Sequence, residues 1–161
     1  MNALVGILTA MLGTLGFSVV FRSKREHIFA VSVGGALSWA AYLASALIFE
    51  SEPTCYFIAS AVVGIYAEVF ARILRTPTTN IFAVAVLPLI PGGALYYTMR
   101  YAVIGEWDSF LSQGSVTLGI AIAIALGILT VSTLVTVVTS SRLYHRLSEK
   151  ARMLYREHPD K

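Results

Sequence analysis

Long apolar runs separated by short charged loops dominate the chain. Five of these runs approach the ~20 residues an α-helix needs to cross about 30 Å of hydrocarbon. They cover about residues 2–21, 28–49, 56–74, 80–104 and 116–139. The first, second and fifth carry no charged side chain, whereas the third holds Glu68 and Arg72. Apolar residues do not alternate with polar ones over ten-residue stretches, so the pattern predicts helices and not a barrel. The expected fold is all-α: a polytopic membrane protein of five transmembrane helices.

The fourth run is interrupted by Leu87-Pro88-Leu89-Ile90-Pro91-Gly92-Gly93. Two prolines three apart remove two backbone donors and clash with the preceding turn. Two glycines then weaken the helix further. The spacing predicts a helix broken at residues 88–93, with halves near 80–87 and 93–104.

Basic residues set the expected orientation. Arg22, Lys24 and Arg25 lie in the first loop, and Arg72 and Arg75 lie at the third. Arg142, Arg146, Lys150, Arg152, Arg156 and Lys161 follow the last run. The opposite side holds only Arg100, beside Glu50, Glu52, Glu106 and Asp108. The N-terminus is expected outside and the C-terminus inside. The first run has no basic segment ahead of it, and its positive cluster comes after it. It is expected to be a retained anchor rather than a signal peptide.

Two regions are expected, a five-helix transmembrane domain over 1–140 and a basic cytoplasmic tail over 141–161. In the tail, Leu143, Leu147, Ala151 and Leu154 share one face of an amphipathic juxtamembrane helix. That helix suits topology anchoring and anionic lipid, or the docking of a partner.

Composition narrows the function classes. The chain has 161 residues, of which 57% are hydrophobic and 13% charged. Soluble domains carry about 45–50% apolar and about 25% charged residues. A soluble enzyme, a disordered chain and a disulfide-stapled domain are all excluded. The net charge of +3 reads as topology signal, with no nucleic-acid partner implied. Cys55 is the single cysteine. His27, His145 and His158 lie in charged flanks without metal-ligand spacing. No metal, cofactor, P-loop or catalytic triad is expected, and the chain reads as a non-enzyme.

Two features can carry chemistry. A carboxylate near the bilayer centre costs roughly 2.5–3.5 kcal/mol, so Glu68 needs a partner, water or a proton. Arg72, four residues on, shares its helical face. Glu68 is therefore either half of an ion pair at the interface or a proton- or ammonium-binding group in a substrate path. The second feature is the break itself. Its second half-helix begins at Gly92, Gly93 and Ala94, where free N–H groups and the positive helix end suit a carboxylate. Pro88 and Pro91 shape that site, and Tyr96 and Tyr97 add hydroxyls that suit a substrate or an interfacial aromatic belt. Small residues at four-residue spacing mark helix contacts: Gly119, Ala123 and Gly127 in the last run, Gly6 and Ala10 in the first, and Ser60 and Gly64 in the third. Gly13 follows in the first run.

With these residues in view, the chain resembles the C-terminal five-helix module of the threonine/serine exporter family. More closely it resembles the stand-alone small subunit of the split, two-gene form. The likeness rests on Gly16-Phe17-Ser18-Val19-Val20-Phe21, on Tyr66-Ala67-Glu68-Val69-Phe70-Ala71-Arg72 with Pro77, and above all on residues 87–96. It covers about residues 3–140. The resemblance implies ion-gradient-driven export of threonine and serine, or of succinate in some split members, across a bacterial inner membrane. It also implies a larger membrane subunit with a second five-helix bundle and an N-terminal cytoplasmic region absent here. A non-transporting scaffold or assembly subunit is the alternative.

Overall fold

The computed structural model of the protein describes residues 2–157, with side chains described through residue 140. Its elements in chain order are α1 (Ala3–Val20), α2 (Arg25–Ala46), α3 (Glu52–Ile73), α4 (Thr78–Ala85), a 3₁₀ turn (Leu87–Leu89), α5 (Gly92–Ile104) and α6 (Trp107–Glu157). No strand occurs among the described residues. The α1, α2 and α3 helices and the first part of α6 are each long and apolar enough to cross a membrane. The α4 and α5 helices pass the same test only as a pair, bent by 41° at the break.

Packing shows that this bent pair is a full crossing and not a re-entrant loop. The α3 and α6 helices run parallel. Ser60 faces Gly127, Gly64 faces Val131, and Arg72 reaches Thr139. The chain leaves α3 at one end of the bundle and enters α6 at the other. The α4–α5 segment must carry it back across, which makes five spans.

The centre of the bundle is α2 and α3, with α4 lodged against both. One buried cluster joins Val31, Ala67, Ala71, Ile81 and Val84. Another joins Ala59, Val63, Ala85 and Leu89. Small residues permit this closeness, as expected where lipid supplies no hydrophobic drive between helices. A Cβ at Gly35 would run into the Thr14 side chain, and one at Gly34 would sit 2.8 Å from the Tyr66 ring. The small faces foreseen in the sequence meet within this chain. Gly6 packs on Trp39 of α2, while Gly13 faces open space. The buried stripe of α1 is Gly6, Thr14 and Ser18, with hydroxyls returned to their own helix: Thr14 donates to Ala10 O and Ser18 to Thr14 O.

Side-chain hydrogen bonds tie α2 to α3: Tyr66 Oη donates to Ala30 O at 2.6 Å, and Ser45 Oγ donates to Cys55 O at the longer distance of 3.4 Å. Tyr66→Phe is expected to lower stability by about 0.6–1 kcal/mol in reversible detergent unfolding, with the helix content of the folded state unchanged.

Both α1 and α3 end in Schellman turns. Ser23 N–H donates to Ser18 O, and Thr76 N–H to Ala71 O. The left-handed position is filled by Arg22 (φ 51) and by Arg75 (φ 50), where glycine is the usual occupant. A side chain there costs roughly 1–2 kcal/mol. At the other end of the bundle, Gly105 (φ 84) makes the turn from α5 into α6 without that cost.

Two boundaries differ from the sequence pattern. The break starts two residues early, because the 3₁₀ turn takes Leu87 before the first proline. The last helix starts at Trp107 rather than near 116, and its backbone continues unbroken to Glu157. No proline lies between those points, and polar residues such as Ser112 and Gln113 are acceptable outside the hydrocarbon. The apolar face foreseen at Leu143, Leu147, Ala151 and Leu154 lies outside the described side chains, and His158 outside the described residues.

Candidate functional site

The break lies at mid-depth. Leu89 shares its buried cluster with Ala59 and Val63, which sit halfway along α3. Pro88 and Pro91 are half-buried there. Beyond them the chain leans away from the bundle core. The α5 helix has no buried residue and packs chiefly on α6, where Thr98 and Thr117 share a hydrogen bond at 3.0 Å.

The start of α5 is therefore open. Gly92 N–H turns back to Ile90 O at 2.7 Å, but the N–H groups of Gly93 and Ala94 find no acceptor among the described residues. Gly92 and Gly93 have ordinary negative φ, and a Cβ on either would meet nothing within 4 Å. Neither backbone conformation nor crowding inside this chain calls for glycine at these positions. Tyr96 and Tyr97 are 64% and 48% exposed and lie edge to face with ring centroids 5.4 Å apart.

Glu68 lies in a different place. It is 22% exposed and pairs with Arg72 at 3.8 Å, while Arg72, 60% exposed, also donates to Thr139 Oγ1 at 3.2 Å. An exposed i,i+4 pair contributes about 0.3–0.5 kcal/mol, too little to hold a carboxylate in lipid. Two hollows adjoin Glu68. One, of about 350 Å³, runs along α3 and α6 past Ile65, Arg72, Leu134 and Thr139. The other, of about 130 Å³, is lined by Gly64, Thr78, Thr79 and Ser132. The hydroxyls of Thr78, Thr79 and Ser132 escaped the sequence reading. They come from three segments, and only the packing of α3, α4 and α6 gathers them round Glu68.

Glu68 and the break are not brought together. Neither hollow beside Glu68 is lined by any residue of 88–97. Glu68 follows Ala59 and Val63 on α3, roughly 7–13 Å nearer the end that carries Arg72 and Arg75. An α-amino acid carries its ammonium and carboxylate on one carbon, so a single bound molecule does not bridge the two places.

The site thus consists of a bent, glycine-started half-helix at mid-depth and, nearer one end of the bundle, a carboxylate beside two hollows. No curated protein and no solved structure matches the chain. The sequence profile of the family described as Threonine/Serine exporter, ThrE, matches residues 6–134, which takes in most of each span, Glu68 and the whole break. The chain belongs to the threonine/serine exporter family and is a multi-pass membrane protein of transporter type.

Proposed function

We propose that the chain is the small subunit of a heteromeric secondary exporter of small carboxylate-bearing metabolites, threonine and serine first and succinate as an extension. In this reading the bacterial inner membrane holds it, with the C-terminus inside, and an ion gradient drives it.

The observation that carries the reading is the start of α5. Non-helical backbone at membrane depth persists where protein covers it or where it lines a cavity. Here, among the described residues, the N–H groups of Gly93 and Ala94 have no acceptor, and nothing stands within 4 Å of a Cβ built on Gly92 or Gly93. A second membrane subunit would supply a wall there and enclose a carboxylate against the two donors. Tyr96 and Tyr97 are exposed on the same half-helix.

Glu68 has a separate role in this scheme. It takes a proton or the substrate ammonium nearer the inner face, before or after the carboxylate is held at the break. Arg72 tethers it between those events.

The test is efflux of preloaded labelled threonine, serine and succinate from cells. Efflux is expected when this chain is expressed with its larger subunit and not from either alone. Glu68→Gln in the pair is expected to lower the rate at least tenfold, with the protein still inserted. Equal rates from wild type and Glu68→Gln would reduce Glu68 to an interfacial ion pair. No efflux of any of the three from the pair would remove the substrate class.

A further inference from the structure

A third hollow, remote from the break, lies at the end of the bundle where the α1–α2 and α3–α4 connections meet. Its volume is about 340 Å³, within the roughly 300–1,000 Å³ of small-ligand sites. Arg22, Lys24 and His27 line one side, and Thr76, Thr79 and Asn80 the other. No acidic residue lines it. Glu26, the acid nearest in sequence, is exposed and lies outside the lining.

His27 is the telling residue. It is only 7% exposed, yet its ring makes no hydrogen bond and no ion pair among the described residues. No sealed polar side-chain atom lacks a partner there either. Neither ring nitrogen is therefore sealed off, the ring lines the hollow, and almost all the rest of the residue is buried. Two helix N-termini converge on the same space. The α2 helix starts at Arg25 and α4 at Thr78, and neither has a side-chain cap. Their positive dipole ends add to the charge of Arg22 and Lys24, as do the first-turn N–H groups other than those of His27 and Asn80, which already donate to Lys24 O and Pro77 O. Arg22 also holds the left-handed backbone position that glycine fills at lower cost, so the turn that ends α1 does not account for a cation there.

We propose that this hollow is a binding site for an oxyanion, a carboxylate or phosphate group, held by Arg22, Lys24 and His27 against the N-termini of α2 and α4. It is built wholly from this chain, so it needs no partner subunit. It also stands whether or not the export reading above is correct. The same chemistry can arrive as a free small anion or as the headgroup of an anionic lipid.

The test uses the full chain in nanodiscs of zwitterionic lipid, titrated with labelled succinate and with inorganic phosphate. Native mass spectrometry then counts phosphatidylglycerol retained by protein drawn from anionic bilayers. Arg22→Gly keeps the turn, since glycine is at ease at that φ, and removes one cation. His27→Gln keeps a polar group but loses the ring. Arg25→Gln removes a charge from the same connection outside the lining and serves as the control. Saturable binding of succinate or phosphate is expected, at least tenfold weaker in Arg22→Gly and His27→Gln and within twofold of wild type in Arg25→Gln. If neither small anion binds but phosphatidylglycerol is retained by wild type and lost in Arg22→Gly, the site stands with a lipid headgroup as its occupant. Absence of both kinds of binding, or equal weakening by Arg25→Gln, would overturn the proposal and leave only a generally basic surface.

Discussion

Leucine at Gly127 is expected to detach α6 from α3 and leave the protein unable to fold stably. A Cβ at this position alone would collide with Ser60 Oγ and stand 2.7 Å from Phe57 O. The second of these is backbone and has no rotamer into which to retreat. Overpacking a close-packed interior costs about 1–3 kcal/mol, and a whole leucine wedged into the broadest helix seam of the molecule belongs at or above the top of that range. Two comparisons give the prediction its resolution. Gly119 lies on the same stripe, but its Cβ would touch Pro53 only at 3.5 Å. Gly119→Ala is therefore expected within about 0.5 kcal/mol of wild type. Gly13→Ala, in open space, is expected to do the same. Tryptophan fluorescence during thermal and detergent unfolding, with the monodisperse fraction on size exclusion, reads all three. A Gly127→Leu protein that unfolds with the wild type would show that the parallel α3–α6 seam is wrong, and with it the five-span topology.

Valine at Gly93 is expected to do the opposite: leave the fold intact and stop transport. Outside its own turn of helix, no atom of the described residues lies within 4 Å of the added Cβ, and the backbone there has negative φ. Stability should shift by no more than about 0.5 kcal/mol. In the assembled exporter, the two extra methyl groups would stand between a carboxylate and the N–H groups of Gly93 and Ala94. Efflux should fall at least tenfold, about 1.4 kcal/mol of lost stabilisation, with insertion and unfolding profiles unchanged. Gly93→Ala, two carbons smaller than the valine variant, should fall between. Undiminished efflux from Gly93→Val would reduce the break to a packing kink. The pair of variants separates two uses of glycine: at 127 this chain needs the space for its own helices, while at 93 the need lies with a ligand or another subunit.

Much of the architecture was legible in the apolar pattern. The 41° bend follows directly from Pro88 and Pro91, whose missing donors and ring clashes are local chemistry. The first three helices start and end close to the predicted runs because charged loops sit on either side of them. The extra turns at the start of α6 were not legible. Phe110, Ser112 and Gln113 lack the continuous apolarity used to find a span, although nothing in them opposes a helix. The hollow around His27 was equally hidden. In the sequence this histidine stands among charges and looks solvated, and its burial depends on α4 lying across the start of α2.

Composition and periodicity by themselves determined that this is a helical, multi-pass membrane protein with one broken span, because apolar length and proline positions act within a single segment. The resemblance carried in residues 66–72 and 87–96 pointed to the exporter family for the same reason: those motifs are local strings. Tertiary structure alone decided which small residues are steric necessities, since Gly13 and Gly127 look alike until their neighbours are in place. It alone showed that α3 and α6 are parallel, which makes the bent pair a crossing. It alone separated Glu68 from the break by depth, and gathered Arg22, Lys24 and His27 opposite Thr79 and Asn80. Each of these depends on which helices touch and at what register, and in a bilayer that choice rests on close packing between distant segments rather than on the hydrophobicity of any one of them.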